Sequence, residues 1–233
     1  MTLLDLFFPP RCVVCDRPLT YRESGVCKNC AESLHMIRDP RCMKCGKELS
    51  EERDVFCKDC TDHAHRFESC RALFLYDDAM KKSIYRFKYD GRKEYAAYYA
   101  KALSEELGDW IRSVRPDALI PIPLHPNRLK KRGYNQAELI AGKLSALVNV
   151  PVKTDILIRR TDTKRQKELN LSARENNLKK AFKTSENDVK LDTALLVDDI
   201  YTTGATMDAA AACLKGAGVS RVYALTLSIG RNT

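Results

Sequence analysis

Apolar and polar positions follow two different rhythms along residues 67–233. Short apolar runs that end in charged residues are typical of buried strands, and apolar residues at helical spacing are typical of amphipathic helices. The apolar runs predict strands over 71–78, 118–124, 156–160, 193–200 and 219–229. The helical spacing predicts helices over 79–89, 92–114, 137–148, 172–182 and 206–215. Because strands and helices alternate, we expect an α/β fold in which helices flank a mostly parallel sheet.

Two polar segments interrupt this alternation. Residues 125–136 (HPNRLKKRGYNQ) are polar and basic, which predicts a loop, and residues 161–170 (TDTKRQKELN) are hydrophilic and predict a second one. Ser172 is placed to cap the helix that follows the second loop.

Eight of the ten cysteines lie in four CxxC pairs near the start of the chain, and the second set of four repeats the first after 30 positions. Pairs of thiolates at this spacing suit tetrahedral zinc, with each sulfur about 2.3 Å from the ion. The pattern predicts two zinc ions, most simply one per repeat, although the spacing leaves a crossed pairing open. In the simple pairing the ligands are Cys12, Cys15, Cys27 and Cys30 for one ion and Cys42, Cys45, Cys57 and Cys60 for the other.

The cysteine pattern divides the chain into a small module, residues 1–66, and an α/β domain, residues 67–233. The module has few large apolar side chains, so metal binding would supply much of its folding free energy. A structural or protein-docking role is favoured over a nucleic-acid surface, because its charges balance. With eight cysteines available, His63 and His65 are predicted to be surface residues rather than ligands, and Cys213 a small core residue.

The apolar runs also bear on location. None approaches the roughly 20 residues that a membrane helix needs. The first residues have an apolar patch, but they lack the basic region of a secretory signal and the patch is too short for its apolar region. A cytoplasmic protein without membrane insertion is therefore expected, in keeping with reduced cysteines.

Positive charge is concentrated in one part of the chain. The formal net charge is +9, and residues 119–183 hold fifteen Lys and Arg against five Asp and Glu, whereas the other segments are nearly balanced. Such a localised excess predicts an anion-binding surface, and a solvated lysine-rich face is the alternative.

The stretch ALLVDDIYTTGATM, residues 194–207, places two acids at the end of an apolar strand and small hydroxyl residues directly after them. Ligands of open α/β sheets bind beyond the carboxyl ends of the strands, and a helix start with free amides suits a phosphate. Carboxylates suit sugar hydroxyls or a Mg²⁺ ion that carries them. The motif thus predicts a ribose 5-phosphate site. The alternative is that Asp198 and Asp199 only end a strand and that the threonines cap a helix.

This stretch, LLVDDIYTTGAT, resembles the phosphoribosyl pyrophosphate (PRPP) signature of type I phosphoribosyltransferases. Together with the doubled CxxC repeat, PIPLHPNRLKKRGYNQ and RRTDTKRQKELNLSARENN, it makes nearly the whole chain similar to the ComF family (ComFC/GntX-like), which joins a double zinc ribbon to a phosphoribosyltransferase-like domain.

The resemblance implies a role for each matching residue. Asp198 and Asp199 would hold the ribose 2- and 3-hydroxyls, directly or through Mg²⁺. The loop that cradles the 5-phosphate would consist of Thr202, Thr203, Gly204, Ala205 and Thr206. The pyrophosphate loop would lie at Leu124 and His125, with Arg132 and the nearby Lys130 and Lys131 neutralising the pyrophosphate. A flexible hood would contribute Arg159, Arg160, Lys164 and Arg165.

Three functions are consistent with this resemblance. The first is a ComF-type protein that supports uptake of single-stranded DNA in natural transformation, with a ComFA-like helicase as partner. In that case the basic loops and an exposed Tyr134 would follow the strand. The second is a metabolic phosphoribosyltransferase, for which no base pocket is evident in the sequence. The third is a non-catalytic zinc scaffold. The oligomeric state is left open.

Overall fold

The computed structural model describes residues 9–160, 181–185 and 189–231. Its strands are β1 (Cys70–Leu75), β2 (Ala118–Pro121), β3 (Leu157–Arg159), β4 (Phe182–Thr184), β5 (Thr193–Tyr201) and β6 (Arg221–Ile229). Its helices are α1 (Lys28–Ala31), α2 (Lys58–Asp62), α3 (Asp78–Tyr89), α4 (Tyr95–Val114), α5 (Pro126–Arg132), α6 (Gln136–Val148) and α7 (Ala205–Gly216). None of the helices in these three ranges is both long enough and apolar enough to span a membrane.

The main sheet has four strands in the order β1-β6-β5-β2, and all its pairs are parallel. Both faces are covered, as the apolar run of β5 predicts. Ala194 and Leu196 point into a core shared with α7, whereas Leu195 and Val197 point into a core shared with α3, α4 and α6. The predicted α/β class with a mostly parallel sheet is confirmed.

The predicted elements differ from the observed ones mainly where polar residues lie. Residues 126–132 form α5 rather than a loop, because His125 caps the helix, Pro126 is its first residue and Gly133 ends it in the left-handed conformation. The strand expected over 118–124 ends at Pro121, and the helix expected from residue 92 begins at Tyr95.

The strand predicted over 156–160 is present as β3, but it pairs antiparallel with β4 in a separate two-stranded sheet. The helix predicted over 172–182 is wrong at its end, because Phe182 begins β4. Its remaining part, and the hydrophilic loop at 161–170, lie outside the described residues, except for Ala181.

The N-terminal cysteine-rich part consists of two similar turns. Each begins with an isolated bridge, between Arg11 and Pro18 in the first repeat and between Arg41 and Glu48 in the second. In both repeats the backbone amide of the residue after the second cysteine donates to the carbonyl of the first cysteine, at 2.9 Å. The short helices α1 and α2 then carry the last cysteine of each set. The sequence repeat is therefore also a structural repeat.

The linker between the two repeats pairs with the edge of the main sheet. The amide of Ile37 donates to the Leu73 carbonyl and the amide of Leu75 donates to the His35 carbonyl, both at 2.8 Å. These bonds flank an antiparallel bridge between Met36 and Phe74. Because β1 is the outer strand of the sheet, the cysteine-rich part covers an edge that would otherwise expose unpaired backbone groups.

Candidate functional site

The eight CxxC cysteines form two clusters of four, and within each cluster the sulfur atoms lie within 4.8 Å of one another. The groups follow the simple pairing, one cluster per repeat, and not the crossed one. The Sγ atoms of Cys15 and Cys27 are 3.8 Å apart, and those of Cys45 and Cys57 are 3.6 Å apart. Sulfurs about 2.3 Å from a tetrahedral ion are about 3.8 Å from one another, so the donor type, number and spacing fit two structural zinc sites.

The acid pair lies near the carboxyl end of β5. Asp199 is buried, and its carboxylate oxygen Oδ2 is 2.5 Å from Nζ of Lys88, which lies in the last turn of α3. The Asp198 carboxylate accepts a hydrogen bond from the Asp199 amide at 2.8 Å. Burial raises the pKa of Asp198 to about 7, and the neighbouring Asp199 carboxylate acts in the same direction. Two carboxyl groups this close favour cations and hydroxyl donors.

The small-residue turn connects β5 to α7. Thr202 and Thr203 are exposed, and Gly204 is the N-cap of α7 with a φ of 79°. Gly204 has no side chain to cap the helix, and the first amides of a helix have no partner within it. Together with the positive end of the helix dipole, these amides provide the donors that a phosphate needs. Ala205 and Thr206, the remaining predicted residues, form the start of α7.

Three side chains lie beneath this turn. The Nδ1 atom of His65 is 2.7 Å from Oδ2 of Asp208, and its Nε2 atom is 3.4 Å from the hydroxyl of Tyr201. The other oxygen of Asp208 accepts from the amide of Arg66 at 2.6 Å. The His65 side chain is only 3% exposed, so the prediction that it is a surface residue is wrong. His63 is exposed, as predicted.

A cavity of about 570 Å³ lies beside the acid pair. Its lining residues are Lys88, Tyr89, Gly91, Arg128, Lys131 and Arg132. Lys88 belongs both to this cavity and to the ion pair with Asp199, so the cavity and the acid pair are neighbours. The guanidinium of Arg132 lies over the ring of Tyr89, 5.1 Å from its centroid, and also bonds Gln136. The cavity is therefore cationic and suits a polyanion.

The other predicted site residues are distributed more widely. Leu124 and His125 are half-buried just after β2, and the His125 side chain accepts from the Asn127 amide at 3.3 Å. Lys130 is exposed on α5 and does not line the cavity. Tyr134 is buried and donates to the Phe87 carbonyl, so its predicted exposure is wrong.

Arg159 and Arg160 lie at the two-stranded sheet. The Arg159 guanidinium is 5.3 Å from the centroid of the Phe182 ring, and the Arg160 amide donates to the Ala181 carbonyl. Neither arginine is among the described residues that line the cavity. Lys164 and Arg165 lie outside the described residues.

Sequence reasoning missed two parts of the site. Lys88 reads as an ordinary basic residue in the last turn of a helix, and nothing local links it to Asp199. The contact between His65 and Asp208 joins residues 143 positions apart, so no spacing rule applies to it. The sequence contained one signal for this contact, the acidic residue Asp208 in the first turn of α7. An acid at that position is common in helices, however, because it interacts favourably with the helix dipole.

Comparison with known proteins finds a family match for each of two parts of the chain. Residues 3–61 match the model of the double zinc ribbon domain, and residues 130–231 match the model of the phosphoribosyl transferase domain. Competence protein F of Haemophilus influenzae is 30% identical over 221 residues, which are 93% of this chain and 95% of that protein.

Two further relatives are similar over different lengths. Competence protein ComFC of Bacillus subtilis is 35% identical over 158 residues, which are 64% of this chain and 61% of that protein. The DNA utilization protein YhgH of Salmonella typhi is 28% identical over 225 residues, which are 94% of this chain and 98% of that protein. Because the two family models match its two parts and the Haemophilus relative matches nearly its whole length, the chain belongs to the ComF family of double zinc ribbon and phosphoribosyltransferase-domain proteins.

Proposed function

We propose that the carboxyl end of β5 binds PRPP or a related ribose 5-phosphate. Asp198 and Asp199 take the ribose hydroxyls, and the turn from Thr202 to Thr206 takes the 5-phosphate. The basic cavity takes the pyrophosphate. The observation that carries this proposal is the position of Lys88, which pairs with Asp199 and also lines the cavity, so that carboxylates and cations meet at one place.

The acid pair also suits Mg²⁺, since carboxylate oxygens are its usual protein ligands. A bound Mg²⁺ would supply positive charge to the pyrophosphate. In this arrangement Lys88 can form an ion pair either with the Asp199 carboxylate or with a phosphate of the bound ligand. When a ligand brings its own cation to the carboxylates, Lys88 is free to turn towards the phosphate.

Calorimetric titration with PRPP and Mg²⁺ tests the pocket. We expect the double variant Asp198→Ala plus Asp199→Ala to raise the Kd about a hundredfold, because it removes two charge-assisted hydrogen bonds to the ligand. Asp192→Ala is the matched control, since Asp192 is exposed just before the same strand and pairs with Arg221 at 2.6 Å. Equal Kd values for the double variant and the parent would disprove the pocket. Release of pyrophosphate with a particular base would establish a phosphoribosyltransferase activity.

We further propose that the same face binds single-stranded DNA in the cytoplasm, with a ComFA-like helicase as its partner. Tyr85 and Tyr89 support this, because they are 59% and 57% exposed on α3 and their ring centroids are 5.0 Å apart. Tyr89 lines the basic cavity, so aromatic faces adjoin phosphate-binding groups, which is the usual composition of single-strand sites. The names of the relatives, competence protein and DNA utilization protein, agree with a DNA ligand.

Fluorescence anisotropy with labelled single-stranded DNA at several salt concentrations separates charge contacts with the phosphates from stacking of the bases on aromatic rings. Replacing Lys131 and Arg132 by Ala takes away cations that neutralise phosphates, so we expect the slope of log K against log salt to fall by about 0.7 for each phosphate that is no longer neutralised. Replacing Tyr85 and Tyr89 by Ala is expected to weaken binding by about 1–3 kcal/mol per stacked base without changing that slope. Lys101→Ala plus Lys143→Ala is the control, because both lysines are exposed on other helices. If the control lowers affinity as much as the variants do, the assigned surface is wrong.

A further inference from the structure

The turn that follows β5 rests directly on the side chain of Tyr201, the last residue of β5, and on that of His65, which comes from another part of the chain. Gly204 adopts a φ of 79°, and a Cβ at this position would lie 2.3 Å from the Tyr201 hydroxyl and 2.9 Å from Cε1 of His65. The backbone therefore approaches both side chains as closely as glycine allows. The shape of the turn depends on these two neighbours being in place.

The His65 ring is held at one edge and on one face. Nδ1 donates to the Asp208 carboxylate at 2.7 Å, and the ring stacks on Phe67 with centroids 4.8 Å apart. Asp208 lies in the first turn of α7, the helix whose N-cap is Gly204. His65 thus connects the start of α7 to the segment that precedes β1.

That segment leads directly to the second cysteine cluster. Helix α2, which carries Cys60, ends at Asp62, only three residues before His65. Phe67 and Tyr201 belong to the same core as the buried cysteines Cys42, Cys45 and Cys57. The buried cysteines of the first cluster, in contrast, belong to the other core, with α3 and α4.

We propose that His65 is a positioning residue that couples the second cysteine cluster to the shape of the turn at Gly204. When four thiolates are held together by a metal ion, α2 and the segment after it are fixed, and His65 presents its imidazole to Asp208 and Tyr201. Loss of the metal frees this segment and removes the support beneath the turn. The predicted effect on ligand affinity rests on the proposed sugar-phosphate function, but the effect on the turn does not.

Hydrogen exchange of the peptide that covers residues 201–208, measured on the full chain without ligand, tests the support itself. His65→Leu keeps much of the side-chain volume and can form neither of the two hydrogen bonds, so we expect exchange of these amides to become about tenfold faster. His65→Asn retains an N–H group near the position of Nδ1, and we expect it to restore much of the protection. His63→Leu is the matched control, because His63 is two residues away, exposed and paired with Asp59 at 3.5 Å rather than with Asp208.

Metal removal tests the coupling. In the parent protein, treatment with a zinc chelator is expected to speed exchange of the same peptide about tenfold. In His65→Leu the same treatment is expected to add little, because the connection is already broken. Circular dichroism after chelation shows whether the α/β domain stays folded. Additive effects of chelation and substitution would overturn the coupling, and unchanged exchange in His65→Leu would overturn the positioning role.

Titration with ribose 5-phosphate distinguishes this inference from the proposed function. If the parent binds and His65→Leu raises the Kd about tenfold while His63→Leu does not, the turn supports phosphate binding as proposed. If exchange changes but the parent binds no ribose 5-phosphate, the proposed function fails and the positioning role of His65 remains. If exchange changes while the Kd does not, the link to affinity is wrong.

Discussion

The two cysteine repeats have the same spacing and the same turn, yet they dock against different surfaces. One difference at the two contacts is the residue that follows the second cysteine of each repeat. It is Asp16 in the first and Gly46 in the second, with φ values of 65° and 79°. Both positions need the left-handed conformation, which glycine and aspartate tolerate better than most residues. The two turns therefore have the same backbone geometry, but at the position after the second cysteine the first presents a carboxylate side chain and the second only its backbone.

The first repeat uses the side chain. The Asp16 carboxylate accepts from the Tyr95 hydroxyl at 2.7 Å and pairs with Arg92 at 2.5 Å. Ser83 and Arg86 of α3 add bonds to the carbonyls of Val13 and Val14. The first repeat is thus attached to the helical face by polar contacts with α3, α4 and the loop between them.

The second repeat docks through Gly46, which has no side chain. A Cβ at Gly46 would lie 2.7 Å from the Cys70 carbonyl oxygen, and the Cys70 amide donates to the Lys44 carbonyl at 2.7 Å. The turn therefore contacts the backbone of β1 directly. The same metal-binding turn thus docks on helices in the first repeat and on a strand in the second, with Asp16 and Gly46 at the two contacts. The ligand spacing alone therefore does not determine the interface.

The largest effect on stability is expected when the glycine of the second repeat, Gly46, is replaced by the aspartate that the first repeat has at the equivalent position. Gly46→Asp places a side chain against the β1 backbone, which cannot move without disturbing the sheet, so we expect a loss of about 3–5 kcal/mol in the free energy of unfolding. Urea unfolding and the zinc content of the purified protein measure the outcome. Gly91→Asp is the control, because Gly91 has a φ of 72° and nothing within 4 Å of its Cβ position. If both variants lose the same stability, the close approach to β1 is not the reason for Gly46.

The reverse exchange is expected to have a smaller effect. Asp16→Gly keeps the left-handed turn without strain but removes the acceptor for Tyr95 and Arg92, so we expect a loss of about 2–3 kcal/mol in the free energy of unfolding. Asp16→Asn should lose less, because an amide oxygen still accepts one bond. Thermal and urea unfolding of the three proteins give the comparison. Wild-type stability in Asp16→Gly would show that the Asp16 carboxylate does not contribute to docking of the first repeat, which packing and the bonds from Ser83 and Arg86 would then hold.

These differences also show where the sequence was informative. The apolar runs at 193–200 and 219–229 identified two central strands because strands buried on both faces need continuous apolar residues. Residues 126–132 were misread as a loop because their polarity outweighed the cap and the N-terminal proline. The acid pair and the turn at Gly204 could be proposed as a site from the sequence because they are contiguous in the chain.

The parts that were missed depend on tertiary contacts. Lys88 reaches Asp199, and His65 reaches Asp208, only after α3 and the N-terminal module have packed on the sheet. The pairing of β3 with β4 is likewise non-local. Similarly, the equal spacing of the cysteines predicted two equivalent clusters, but it contained no information about the different surfaces on which they dock.

A third prediction isolates one hydrogen bond of the first interface. Tyr95→Phe removes the hydroxyl that donates to Asp16 and lies 3.1 Å from the Cys12 carbonyl, while the ring stays buried. We expect a loss of about 1–2 kcal/mol in the free energy of unfolding, since the acceptors are left partly unsatisfied. Tyr98→Phe, at a position further along α4, serves as the control for removal of a phenol hydroxyl, and urea unfolding measures both. A larger loss in Tyr98→Phe than in Tyr95→Phe would contradict the assigned anchor.

The smallest effect is expected where Glu48 of the second repeat contacts the linker between the repeats. The Glu48 carboxylate accepts from the Arg38 amide at 2.9 Å and lies 2.9 Å from Nε2 of His35, but all three residues are exposed or half-exposed. Glu48→Gln keeps an acceptor and removes only a screened charge, so we expect a loss below about 1 kcal/mol. Glu51→Gln, whose partner Arg53 is fully on the surface, is the control. The edge of β1 is held by backbone hydrogen bonds of the linker rather than by this ion pair. If Glu48→Gln lost as much stability as Asp16→Gly, the linker side chains, and not the linker backbone, would attach the module to the sheet.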